Sequence, residues 1–175
     1  MVGELKYWSN GEPTLPDTGL GSLKYWINGE AYVVLTEETA VYSYSRGDYA
    51  ELPTNDTDLE NAFSGDEYTD VSTEDGVYVL QSSTEGFSVF QFKNKHTNSS
   101  DIPSVRCRLK TNVALSVSPV YLQVYNRTLG EWQTRDFNDS ASADTDFDLT
   151  DTINSGLADY YDENYWLSYR VYQAL

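Results

Sequence analysis

Residues 3–12 read GELKYWSNGE and residues 21–30 read GSLKYWINGE, identical at eight of ten positions. A match of that length is a duplication, and two copies are too few for a stacked solenoid. Each copy runs Leu-Lys-Tyr-Trp, a period-two alternation, and then x-Asn-Gly-Glu. Asn-Gly is the strongest short signal for a tight turn at positive φ between antiparallel strands. Pro13 and Pro16 punctuate the connection that starts at Thr14, so this stretch is expected to be extended and not helical. The duplication therefore commits the start of the chain to strands and turns.

The repeats also pose a burial problem. Tyr7-Trp8 and Tyr25-Trp26 are adjacent pairs, and neighbouring strand positions face opposite ways. A lone hairpin in water has no means of burying both faces. Two readings follow: the hairpins pack on the body of their own subunit, or they form an arm that enters two equivalent grooves on neighbouring proteins. The expectation taken forward is an extended N-terminal arm over 1–30. Its partner-binding residues are Leu5, Tyr7, Trp8, Leu23, Tyr25 and Trp26.

From residue 31 the sequence reads as short strands separated by polar turns. Val120, Leu122 and Val124 alternate with Tyr121, Gln123 and Tyr125, and Val105, Cys107 and Leu109 alternate with Arg106, Arg108 and Lys110. One-sided strands of this kind belong to antiparallel sheets with one wet face. Further strands are expected over 31–35, 40–45, 77–82, 87–92, 132–135, 146–149 and 166–172, and Asn126–Gly130 has the length of a hairpin connection containing a glycine bulge. With no βαβ rhythm, the predicted fold is all-β: an antiparallel β-sandwich over 31–175, with a jelly roll as the expected arrangement. Residues 51–75, acidic and rich in Thr, Ser and Asp, form a long excursion, with a helical turn predicted over Asp58–Phe63. A second helical turn is predicted over Leu157–Tyr165.

Charge narrows the partners. The formal net charge is −17, and a nucleic-acid ligand needs the cations that this chain lacks. Anionic lipid is disfavoured for the same reason, no segment approaches a membrane span, and the N-terminus lacks the basic and apolar regions of a signal peptide. Seven of the eleven cations fall between Lys93 and Arg135. Arg106, Arg108 and Lys110 therefore mark a less negative stripe, and they are candidate subunit-contact residues against acidic neighbours.

Little in the sequence carries chemistry. Cys107 is the single cysteine and reads as a small buried residue, while the single histidine, His96, lies in a polar loop. No phosphate loop, dinucleotide fingerprint, nucleophile elbow or zinc spacing appears. Asp144, Asp146, Asp148 and Asp151 superficially resemble the start of a calcium loop but lack its glycine and closing glutamate, so they stand as calcium candidates without a motif. Tyr121, Tyr125, Trp132 and Trp166 are candidates for a glycan-stacking platform. No cofactor is expected.

Leu-Lys-Tyr-Trp-x-Asn-Gly followed by the apolar run Ala31-Tyr-Val-Val-Leu resembles a phrase near the starts of tailed-bacteriophage virion proteins. The stretches from Pro119 to Trp132, Asp144 to Thr150 and Trp166 to Tyr172 are similar to jelly-roll-like sandwiches in phage structural proteins. The doubled phrase departs from the usual single copy. The resemblance implies a virion part without catalytic residues: a capsid decoration or cement protein, a head fibre or a tail component.

The expected function is therefore that of a non-enzymatic cement protein on the capsid surface, made in the host cytoplasm. It would bind the major capsid protein or another virion protein through the arm and self-associate as a trimer or dimer. The alternative is a carbohydrate-binding or receptor-binding head-fibre or tail protein.

Overall fold

A computed structural model describes the backbone of Tyr7–Ser9, Glu12–Thr14, Leu23–Ile27 and Glu30–Val34, and residues 42–174 in full. The chain divides into two compact units, 1–40 and 41–175. In the first, β1 (Tyr7–Ser9) pairs antiparallel with β2 (Glu12–Thr14), and β3 (Leu23–Ile27) with β4 (Glu30–Val34). The pairs Ser9↔Glu12 and Ile27↔Glu30 leave Asn10-Gly11 and Asn28-Gly29 between the strands, so both repeats share one hairpin register. The strand expected to open the sandwich, 31–35, instead closes the second hairpin, and the division falls at 40/41 instead of 30/31.

The second unit contains β5 (Tyr42–Tyr49), β6 (Asn61–Ala62), α1 (Gly65–Val71), β7 (Phe87–Lys95) and β8 (Ser104–Leu109). It continues with β9 (Val120–Asn126), β10 (Glu131–Asn138), β11 (Phe147–Thr152), a 3-10 turn at Leu157–Asp159 and β12 (Trp166–Ala174). Six strands form an antiparallel sheet in the order β10-β9-β12-β7-β5-β6, and β8 pairs with β11 in a two-stranded sheet. The molecule is an all-β protein, and its second unit is an antiparallel sandwich.

Alternation explains how the layers meet. Val120, Leu122 and Val124 of β9 and Leu167, Tyr169 and Val171 of β12 are buried on one face of the large sheet. Cys107 of β8 and Leu149 of β11 join them in a core that Leu115, Ile153, Tyr160 and Tyr161 close from the loops. Each such side chain contributes about 1.5–3 kcal/mol relative to exposure, which makes this face the main source of cohesion. The same face near β5 is covered by Phe63 and by α1, whose Tyr68 lies among Tyr42, Tyr44 and Phe63 at centroid separations of 5.0–5.7 Å.

Two local expectations require correction. The helical turn lies at Gly65–Val71 and not at Asp58–Phe63, because Ser64 and Glu67 form a capping box: Glu67 N donates to Ser64 Oγ (3.3 Å) and Ser64 N to Glu67 Oε2 (2.8 Å). Residues 58–63 instead bury Leu59 and Phe63 and place Asn61–Ala62 on the edge of β5. The strand expected over 77–82 does not form. Val77 N is held by the Asp75 carboxylate (3.0 Å), and Val77 and Leu80 remain exposed.

Candidate functional site

The outer face of the large sheet, turned away from the core, carries most of the polar and aromatic candidates. Strand register places Ser45, Gln91, Arg170 and Gln123 in a row across β5, β7, β12 and β9, and all four are buried. They are buried because residues 51–60 lie over them as a strap. Arg170 NH1 donates to Pro53 O (2.5 Å), Gln91 Nε2 to Asp56 O and Thr57 O (3.1 and 2.9 Å), and Leu59 N to Ser45 Oγ (3.0 Å). Asp56 completes the tie: its Oδ2 accepts from Arg127 NH2 (2.8 Å) and Ser168 Oγ (2.6 Å). A strap attached through backbone carbonyls suits a sheet face whose alternating residues are polar, since every buried donor then finds an acceptor.

Arg170 anchors this face. Its Nε donates to Gln123 Oε1 (2.8 Å), and the guanidinium lies 4.4 Å from the Trp132 ring centroid and 5.5 Å from that of Tyr172. Burial holds its pKa down at about 10. Cation–π contact with two rings and two hydrogen bonds to neutral acceptors offset the desolvation of the charge.

The aromatic residues of the face form a ladder and not a floor. Tyr121 stacks on Tyr172 at 5.2 Å and 17° and on Phe137 at 5.9 Å and 22°. Rings so close and so nearly parallel are turned toward one another, leaving mostly edges to solvent. Trp132 meets Tyr125 at 61°, has Arg170 over its ring, and donates Nε1–H to Asn55 O (3.2 Å). Of the four platform candidates, Tyr121, Tyr125 and Trp132 therefore share one face of the sheet but direct their ring faces to intramolecular partners. Trp166 stands apart from the ladder, beside a polar cleft at the start of β12.

No family model, curated protein or solved structure matches the chain. The reading of function therefore rests on the residues themselves.

The cationic stripe is satisfied within the chain. Arg106 pairs with Asp148 (3.1 Å) and Glu74 (2.5 Å), Arg108 with Asp146 (3.5 Å) and Asp148 (3.8 Å), and Lys110 with Asp146 (3.5 Å). These ladders follow from the β8–β11 register, in which Arg108 opposes Asp148 and Arg106 opposes Thr150. The same pairs engage two of the four calcium candidates. A third, Asp151, accepts from Arg135 Nε (3.0 Å) and from the Tyr169 hydroxyl (3.1 Å), and the fourth, Asp144, sits in a left-handed turn at φ 58°. Among the described residues no group of three acidic, His or Cys side chains is placed to hold a metal ion. Three of the four calcium candidates, Asp146, Asp148 and Asp151, are thus ion-pair partners.

Burial pushes the Cys107 thiol up to about 12, so it carries no thiolate at neutral pH, and His96 packs edge-on against Tyr161 at 5.3 Å. The arm candidates Tyr7, Trp8, Leu23, Tyr25 and Trp26 fall in β1 and β3, but their side chains, and all of Leu5, lie outside the described residues. Sequence reasoning missed Arg170, Asp56, Lys93 and Arg127. One signal was available for Arg170, a cation on the same strand face as Trp166 and Tyr172.

Proposed function

We propose that the chain is a non-enzymatic structural protein of a virion, a capsid decoration or cement protein that binds neighbouring shell subunits through its N-terminal repeats. The observation that carries this reading is the duplicated hairpin. Two copies of one sequence in one register form a unit separate from a sandwich that has its own core. A duplicated recognition hairpin suits a surface that presents the same groove repeatedly, as a symmetric shell does, because the second contact is made at high effective concentration. The phage-like phrases of the sequence support the same reading. So does the topology, in which β7→β8, β8→β9, β10→β11 and β11→β12 each pass between the layers while the chain-distant β7 and β12 pair, as in a jelly roll.

Attachment works by burying Tyr7, Trp8, Tyr25 and Trp26 against the partner at ~25 cal/mol per Å² of apolar surface, less the entropy of ordering the hairpins. The sandwich supplies bulk and self-association, as a trimer or dimer on the shell. A platform built from all four candidate rings draws less support, because Tyr121, Tyr125 and Trp132 pack on neighbouring rings and on Arg170, and Trp166 stands apart from them.

Co-sedimentation with undecorated particles of the virus that encodes the chain tests the proposal. The full chain pellets with the particles, and the 41–175 chain, folded by circular dichroism, stays in the supernatant. A 41–175 chain that still decorates particles would overturn it.

A further inference from the structure

The cleft beside Trp166 has a composition that the assembly reading does not require. It is a cavity of about 340 Å³ at the outer-face end of β7 and β12. Ligand cavities range over roughly 300–1,000 Å³, so this one holds a single small ring and not an extended molecule. One wall is Trp166. Among the described residues no aromatic ring and no cation stacks on it, unlike Trp132 with its guanidinium.

Two ion pairs frame the rest. Lys93 Nζ lies 2.7 Å from Asp58 Oδ1, and Arg127 NH2 lies 2.8 Å from Asp56 Oδ2. Asp162 Oδ1 accepts from Asn164 N and Trp166 N, both at 2.8 Å, and so fixes the backbone that carries the tryptophan. Lys93 retains donors, and Asp58, with 58% of its side chain exposed, retains acceptors.

This arrangement discriminates among ligands. Three carboxylates against two cations leave the cleft at −1, within a chain of −17, which disfavours phosphate, sulfate and carboxylate ligands. A quaternary ammonium ion is held by several rings forming a cage, whereas this cleft is lined by one aromatic residue, and two of its three carboxylates are already paired with Lys93 and Arg127. A neutral sugar meets each requirement. The partly positive C–H groups of a pyranose face lie against the negative face of an indole ring. Two vicinal hydroxyls stand about a hydrogen-bond length apart, so one can donate to Asp58 while its neighbour accepts from Lys93.

The geometry points to a binding site for one neutral pyranose unit of a glycan, stacked on Trp166 and fixed by the Lys93–Asp58 pair. The residues named for the site all belong to the sandwich, so variants separate binding of sugar from binding of shells.

The test uses the full chain on an array of neutral, sialylated and sulfated glycans, followed by calorimetric titration with methyl glycosides of the hexoses and N-acetylhexosamines. The expected result is saturable binding of a neutral glycan, weakened at least tenfold in Trp166→Ala and in Asp58→Asn and unchanged in Phe137→Ala. Shell binding by the Asp58→Asn chain stays intact. Asp58 is exposed, so its variant reports even where Trp166→Ala impairs folding. Absence of binding by the unmodified chain at millimolar sugar would overturn the proposal. So would binding confined to anionic glycans, displacement by tetramethylammonium, or affinity unchanged in Asp58→Asn.

Discussion

Cys107 and Asp48 show how position sets the chemistry of one side chain. Cys107 belongs to the inward half of an alternating strand, and desolvation there pushes its thiol up to about 12. Native protein is therefore expected to resist alkylation by iodoacetamide at neutral pH and to react once unfolded by denaturant, as mass spectrometry would read directly. Asp48 lies at the other extreme. The Ser83 hydroxyl (2.7 Å), the Thr84 hydroxyl (2.9 Å) and the Thr84 and Glu85 amides all donate to its carboxylate, lowering its pKa from the ordinary 3.8 to about 2. A carboxylate depressed in this way stabilises the folded state above its unfolded value. That contribution falls away as pH drops through the interval from about 4 to about 2. Slowed amide exchange at Thr84 and Glu85 is expected to be present at neutral pH, to weaken across that interval, and to be lost in Asp48→Ala, which has no acceptor there.

The strap over 51–60 is the element on which the outer face depends, and Asp56 is its fastening. Asp56→Ala leaves Arg127 without its carboxylate in a half-buried position and frees the Ser168 hydroxyl, at a cost of about 2 kcal/mol. Chemical denaturation is expected to show that loss, and amide exchange should quicken at Leu59, whose N–H the strap delivers to Ser45. The strap was legible in the sequence as an excursion but not as a cover. Its ties to Gln91 and Arg170 run through backbone carbonyls of Pro53, Asp56 and Thr57, and no side-chain pattern encodes those. The strands were more readable, because β9 and β8 each had to bury one face and so alternate strictly. The capping box at Ser64–Glu67, a Ser-x-x-Glu spacing that the reading of Asp58–Phe63 passed over, explains why the helix begins there and not at Asp58. The site was less legible. Alternation separates Tyr121 and Tyr125 from Val120, Leu122 and Val124, yet it gives no ring orientation, and ring orientation decides whether a sugar has a face to meet. Asp58, Lys93 and Trp166 are far apart in sequence and come together through strand register and the strap.

At the scale of the whole molecule, a chain of −17 combines a self-sufficient sandwich with a duplicated hairpin unit. A net charge of this size and sign favours attraction toward basic surfaces, and part of it is neutralised internally along β8 and β11. The proposed attachment makes a demand on the isolated chain: Trp8 and Trp26 must still be waiting for a partner. Fluorescence quenching by acrylamide, a neutral quencher that the acidic surface does not repel, measures this in a chain carrying Trp132→Phe and Trp166→Phe. The account predicts ready quenching of Trp8 and Trp26 in the free protein and strong protection once the protein is bound to particles. Tryptophans already shielded in the free monomer, and unchanged on addition of particles, would contradict it.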